Sequence, residues 1–200
     1  MGSLCEKAIE NASQTVVGDN ADKIKEYAKN VNFYEKEINH SEDYIEKLCM
    51  ELLLHQQPVA SDLRTVSSAL KLISDMERIG DQASDITELS GYINNCEFNG
   101  KIHLKDMFKA TIDLVKKAVT SFSEKNLEMA QSAILDDDII DNYFDKVKIE
   151  LIQMIQSKTD AELCVDLLMV AKYLERIGDH SVNIAEWVVY SITGVHKDMN

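Results

Sequence analysis

The run Glu-Arg-Ile-Gly-Asp occurs twice, at 77–81 and at 175–179. Each copy continues to a third oxygen-bearing side chain four residues on, Asp85 in one and Asn183 in the other. Residues four apart lie on one helical face with Cβ atoms ~5–6 Å from each other. Glu77, Asp81 and Asp85 therefore form one row, and Glu175, Asp179 and Asn183 a second. Like charges at that spacing cost a helix roughly 0.2–0.5 kcal/mol per pair, so something must offset the repulsion. A further acidic pair, Asp137 and Asp141, lies beside the apolar residues Ile134, Phe144 and Leu151, and its counterparts are Glu35 and Asn39 beside Val31 and Ile38. Oxygen ligands from two packed helices can converge on a hard or borderline cation, and carboxylates can bridge two ions ~3.5–4 Å apart. The plainer alternative is arginine: Arg78 reaches Asp81 at i+3 and Arg176 reaches Asp179 likewise, giving an ordinary solvated, salt-bridged face. Recurrence of the row at matching places favours the cation. Asp136 and Asp138 read as a plain acidic turn.

Other chemistries lack their residues. The Glu-x-x-His spacing of di-iron oxygenases and ferritins is missing. No nucleophile–base pair, phosphate loop or nucleotide signature is present. His180 is a ligand type, but its counterpart is Gln82, so it reads as a packing histidine; His40, His55, His103 and His196 are scattered.

The elements that must carry these rows are helices. With one proline and seven glycines in 200 residues, breakers are few. Breaks fall at Gly18-Asp19-Asn20, at Gln57-Pro58, through 94–100, at 123–126 and at 157–160. They predict six helices, near 2–17, 20–56, 60–93, 102–122, 126–157 and 161–192. Ile24, Val31, Ile38, Ile45 and Leu52 recur every seven residues, with Ala28, Tyr34 and Leu48 between them, as on a long bundle helix. Such a helix spans ~54 Å. The helices form two similar sets of three: Ala12 falls opposite Ala118, Glu35 opposite Asp137, and one Glu-Arg-Ile-Gly-Asp run opposite the other. A repeat near ~100 residues predicts an all-α fold of two tandem, pseudo-symmetric three-helix bundles, 1–96 and 97–200. Gly80 and Gly178 each cost about 1 kcal/mol relative to Ala in mid-helix, so each predicts a neighbour that comes close. Trp187, Val188, Val189 and Tyr190 read as core, with an interaction surface as the second reading.

Composition narrows the function. Hydrophobic residues make up 45% of the chain, enough for a core. A net charge of −14 argues against nucleic acid as a partner and for cations or basic protein surfaces. Cys5, Cys49, Cys96 and Cys164 make no Cys-x-x-Cys pair and read as reduced, buried thiols of a cytoplasmic protein. No run approaches the ~20 apolar residues of a membrane span, which argues against direct insertion. Glu6, Lys7 and Glu10 stand where a signal peptide would be apolar.

The segments LLLHQQPVASDLRTV at 52–66, MERIGDQASDI at 76–86 and LERIGDHSVNIAEWVVYSITG at 174–194 resemble the PhoU family of phosphate-signalling regulators, over essentially the whole chain. The resemblance implies no enzymatic activity and two similar three-helix bundles. It implies metal ions, iron, zinc or similar, held by paired acidic motifs, and a homodimer. It further implies negative regulation of phosphate uptake and of the starvation response, coupling the ATPase subunit of a phosphate ABC transporter to a membrane sensor histidine kinase. Carried over, the metal ligands are Glu77, Asp81 and Asp85 with Asp137 and Asp141, and Glu175, Asp179 and Asn183 with Glu35; sequence does not say which helix faces which row. Asn39 stands where the family usually has Asp, and Asp85 where Asn is usual, so occupancy should differ between the halves. The first helix is shorter than in the family. That keeps open a PhoU-like domain from a larger protein, such as the cytoplasmic tail of a sodium–phosphate cotransporter. A carboxylate-bridged dimetal enzyme is a further alternative.

Overall fold

The computed structural model describes residues 1–18, 21–94, 96 and 102–195. Six α-helices carry the fold: α1 (Gly2–Val16), α2 (Ile24–Gln56), α3 (Ser61–Ile93), α4 (Leu104–Ser123), α5 (Leu127–Gln156) and α6 (Ala161–Thr193). A 3-10 turn, Ala21–Lys23, leads into α2. No strand occurs among the described residues.

The helix ends follow local chemistry. α2 stops at Gln57, which lies in the left-handed region at φ 45; Pro58 follows and disfavours right-handed helix at the residue before it. The Asn126 side chain accepts from Met129 N at 3.0 Å and starts α5; Asp160 accepts from Glu162 N at 2.9 Å and starts α6. α6 ends on Gly194 at φ 74, whose N–H bonds to Tyr190 O. The boundary expected between 96 and 97 falls where residues 95 and 97–101 lie outside the described residues, as do Asp19, Asn20 and His196.

Each set of three helices packs together, α1–α3 in one and α4–α6 in the other, and the sets join chiefly through α3 against α6, with α1 against α4. The inner helices show why. Leu72, Met76, Ile79, Ala83 and Ile86 of α3, and Leu167, Val170, Leu174, Ile177 and Ile184 of α6, follow the three–four spacing of a stripe and are buried. Ala12 and Ala118 are both fully buried, as their matched places require. The outer helices α2 and α5 bury far less: Val31, Ile38 and Cys49 in one, Ala130, Ala133, Ile140, Val147 and Leu151 in the other.

The seven-residue stripe on α2 does not stay buried. Val31 and Ile38 are core, Ile45 is half-buried, and Leu48 and Leu52 are exposed. α1 has 15 residues against 33 in α2, about 22 Å against about 50 Å, so among the described residues α1 runs beside only part of α2. Leu54, Val59 and Leu63 are exposed around the α2–α3 turn, and Ile149, Ile152, Ile155 and Val165 around the α5–α6 turn. Val188 is buried, whereas Trp187 and Tyr190 are partly exposed and meet edge-on at 5.7 Å. Cys5, Cys49 and Cys164 are buried free thiols, and Cys96 is half-buried. Burial pushes the Cys5 thiol up to about 12, and it donates to Met76 O at 3.4 Å.

Candidate functional site

The glycines fix how the rows meet their neighbours. A Cβ on Gly80 would stand 3.0 Å from Ile38 Cδ1, and one on Gly178 3.0 Å from Ile140 Cδ1. Ile38 and Ile140 occupy matching places, so α2 closes on α3 and α5 closes on α6 in the same way. The close approach expected of both glycines is present. It also settles the pairing of helices and rows, which differs from the one carried over from the resemblance. Glu35 and Asn39 face the Glu77–Asp81 side of their own half, and Asp137 and Asp141 face Glu175 and Asp179 of theirs. Short connections make sequential helices neighbours, which decides this physically.

In the second half four carboxylates act on one another. Asp137 is pushed up to about 6, first by burial and then by Asp141, Asp179, Asp138 and Glu175. Burial followed by Glu175 raises Asp141, and burial followed by Glu175 also raises Asp179. A Cβ on Gly178 would stand 3.1 Å from Asp137 Oδ1, so the missing side chain makes room for that carboxylate. Lys172 is the counter-charge: it pairs with Glu175 and lies 5.7 Å from the Phe144 ring centre.

The first half resolves its repulsion internally. Asn39 Nδ2 donates to Glu35 Oε1 at 2.7 Å. Arg78 lies 3.5 Å from Glu77 and 3.6 Å from Asp81. Ser74 donates to Glu42 at 3.1 Å. Glu77 is still raised, by burial and then by Asp81, with Arg78 opposing.

The third members of the rows part company with the rest. Asp85 is raised by burial and by Glu88 and Asp81, and is lowered by Arg176 of α6. Asn183 donates to Asp75 of α3 at 3.2 Å, and the same Asp75 oxygen is 2.9 Å from His180 Nδ1. Both thus sit between the two halves. Each i+4 step turns about 40° around the helix, so two steps swing the side chain from the outer helix toward the opposite half. Arg176 follows the same geometry: it acts on Asp85, and among the described residues no Arg176–Asp179 ion pair forms. His180 is the packing histidine expected; its partner Asp75 was not legible because the contact crosses halves. His103 bonds Glu150 through its backbone N–H at 3.0 Å and its ring at 2.5 Å.

The donor set of the second half fits a hard or borderline cation: four carboxylates from two helices that share more negative charge than Lys172 offsets. Among the described residues, no three acidic, His or Cys side chains converge on one point as they stand. Like charges splay, and carboxylate χ angles cross between rotamers at little cost. Asp137, Asp141, Glu175 and Asp179 would hold an ion there; the ion would supply the positive charge that relieves them.

The fold and motifs have close relatives. The family model described as PhoU domain matches residues 1–90 and 104–188. A phosphate-specific transport system accessory protein PhoU homolog of Clostridium acetobutylicum is 30% identical over all of this chain and 91% of its own length. The homolog of the same description from Pseudomonas aeruginosa is 30% identical over 97% of this chain and 80% of its own. The crystal structure of PhoU from Pseudomonas aeruginosa superposes with a TM-score of 0.88 at 28% identity, covering 97% of this chain and 92% of that one. The phosphate transport system regulatory protein PhoU from Streptococcus pneumoniae gives 0.82 at 28% identity, covering 99% and 94%. With both repeats matched and the architecture shared along its length, this chain belongs to the PhoU family.

Proposed function

We propose that this chain is an accessory protein of a phosphate-specific transport system, a cytoplasmic, non-enzymatic negative regulator. In this reading it couples the ATPase subunit of the transporter to a membrane sensor histidine kinase, and it works as a homodimer. A divalent or trivalent metal ion, iron, zinc or similar, neutralises the acidic face of α5 and α6 and sets how that face docks. What supports the ion reading is that Asp137, pushed up to about 6 first by burial, also feels Asp141, Asp179 and Glu175, and that Gly178 leaves room for its carboxylate between α5 and α6. Family membership supports the transport role, since relatives bear that description. No described helix is long and apolar enough to cross a membrane. Exposed Leu54, Val59, Ile152 and Ile155 at the two hairpin ends suit a protein that acts by docking on others.

Two measurements test the reading. Elemental analysis of untagged protein should find bound metal that falls when Asp137 and Asp179 are both replaced by Asn. Pull-down with the transporter ATPase subunit should succeed for the parent chain and weaken for the same variant. Unchanged metal stoichiometry removes the ion from the mechanism; failure to capture the ATPase under either condition removes the transporter.

A further inference from the structure

A cavity of about 430 Å³ lies where the start of α3 meets the ends of α4 and α6. Arg64 and Lys125 line it, with the hydroxyls of Ser61, Thr65, Ser123 and Ser191. In a chain of net charge −14, this wall carries two cations and no carboxylate. The acids nearest in sequence, Asp62 and Glu124, do not line it. Arg64 Nε is buried with no hydrogen-bond partner, so its desolvation is not repaid from within the chain. The guanidinium is backed by the last turn of α6: a Cβ on Gly194 would stand 3.5 Å from Arg64 Cζ, Nε and Nη1.

The backbone adds less. α3 begins after Ala60, at φ 49, with no side-chain cap, but Asp62 stands in its first turn and Asp62 N already bonds to Val59 O. At the opposing helix ends Glu124 N bonds to Thr120 O, Lys125 N to Phe122 O, Asn126 N to Ser121 O and Gly194 N to Tyr190 O. Thr65, Ser123 and Ser191 already donate to backbone carbonyls, so Arg64, Lys125 and Ser61 are the donors that remain to serve a ligand.

The matching end of the other half shows what is missing. There Asp160 caps α6 and also accepts from the Tyr92 hydroxyl at 3.1 Å, while Asn94 donates to Thr15 O at 2.7 Å. That helix start carries its own anion. At α3 no side chain caps the start, and the acid of its first turn, Asp62, lies outside the cavity wall.

We infer that the Arg64–Lys125 cavity is a binding site for a phosphate-type oxyanion, as the free ion or as the phosphoryl end of a small molecule. Arg64 supplies a planar fork of donors and Lys125 a point charge. Phe122 and Ile192 complete the wall, and the volume exceeds that of a bare tetrahedral ion, which leaves space for an organic group. The site is remote in chain and chemistry from the acidic cluster and does not rest on the ion reading.

The test is isothermal titration of inorganic phosphate, and separately of adenosine monophosphate, into the full chain freed of metal with chelator at low salt. Saturable one-site binding is expected. Arg64→Gln should weaken it at least about tenfold, and Lys125→Gln, on an exposed residue, about threefold. Both variants should keep the parent's circular dichroism. Tighter phosphate assigns the free ion, and tighter monophosphate assigns an ester. No saturable heat for either ligand up to about 10 mM overturns the site, as does parent-like affinity in both variants. Because chelator removes metal first, failure here leaves the acidic cluster of α5 and α6 to its own test.

Discussion

The two halves use one scaffold and two electrostatic solutions. Ile38 packs against Gly80 and Ile140 against Gly178, and a Cβ on either glycine would stand the same 3.0 Å from the isoleucine Cδ1. Around that contact the residues diverge. Where the second half has Asp141, the first has Asn39, whose amide donates to Glu35. Where the second has Phe144 over Lys172, the first has Glu42 accepting from Ser74. Arg78 stays with its own row, whereas Arg176 turns to Asp85 across the interface. The first half closes on itself, and the second keeps a charge frustration that a cation would relieve. A duplicated motif thus preserves backbone geometry more faithfully than it preserves chemistry.

Ion binding is where this difference should be largest. In titrations of zinc or manganese into chelator-treated protein, Asp137→Asn with Asp179→Asn should weaken binding about a hundredfold. Glu35→Gln with Glu77→Gln should change it by less than about threefold. The reverse ranking would break the comparison outright.

The shared scaffold has its own test. Gly80→Val and Gly178→Val should each destabilise by about 1–3 kcal/mol in denaturant melts, since added methyls press on Ile38 or Ile140. The alanine variants sharpen the contrast. Gly80→Ala meets Ile38 alone, tightest at its Cδ1 tip, which can shift, so the helix-propensity gain of about 1 kcal/mol offsets the contact. Gly178→Ala also displaces Asp137 Oδ1 and should lower ion affinity, which Gly80→Ala should not.

Much of this was legible in the sequence because it is local. Pro58, Asn126 and Asp160 mark helix ends through caps and forbidden backbone regions within a few residues. The glycines announced a close neighbour because their propensity cost is local too. What escaped depends on contacts between distant segments. The heptad on α2 could not reveal that Leu48 and Leu52 stay exposed while Val31 and Ile38 are buried. The i+4 rows looked straight, yet their rotation delivers Asp85 and Asn183 to the interface between halves. Arg64 sits in an unremarkable segment, and only the fold sets it beside Lys125 and Gly194.

The charge frustration also has a pH signature. The unfolded Asp137 carboxyl titrates near 3.8 and the folded one at about 6, so between those values the folded state holds the extra proton. Its stabilising contribution is full below the lower value and is lost as pH rises through the upper one. Metal-free protein should therefore lose stability from about pH 4 to about pH 6 through this group. Asp137→Asn should flatten that slope and stabilise the metal-free chain at neutral pH by about 1 kcal/mol, because partial solvent access screens the repulsion. Thermal melts of both chains across that range check it; equal slopes would mean that the four carboxylates do not feel each other.

The smallest effect separates the two devices that quiet the first half. Arg78 is mostly exposed and sits 3.5–3.6 Å from its acids, so Arg78→Gln should change stability by no more than about 1 kcal/mol. Its consequence should appear in ion binding: with the guanidinium gone, Glu77 and Asp81 lose their screen, and the first half should gain affinity about threefold. If titration shows no gain, the guanidinium is not what distinguishes the halves, and the amide of Asn39 is. Asn39→Asp then becomes the decisive change, since it restores at Asn39 the carboxylate that Asp141 provides in the second half and removes the hydrogen bond to Glu35. That variant should draw the first half toward the metal affinity of the second, whereas Arg78→Gln alone would not.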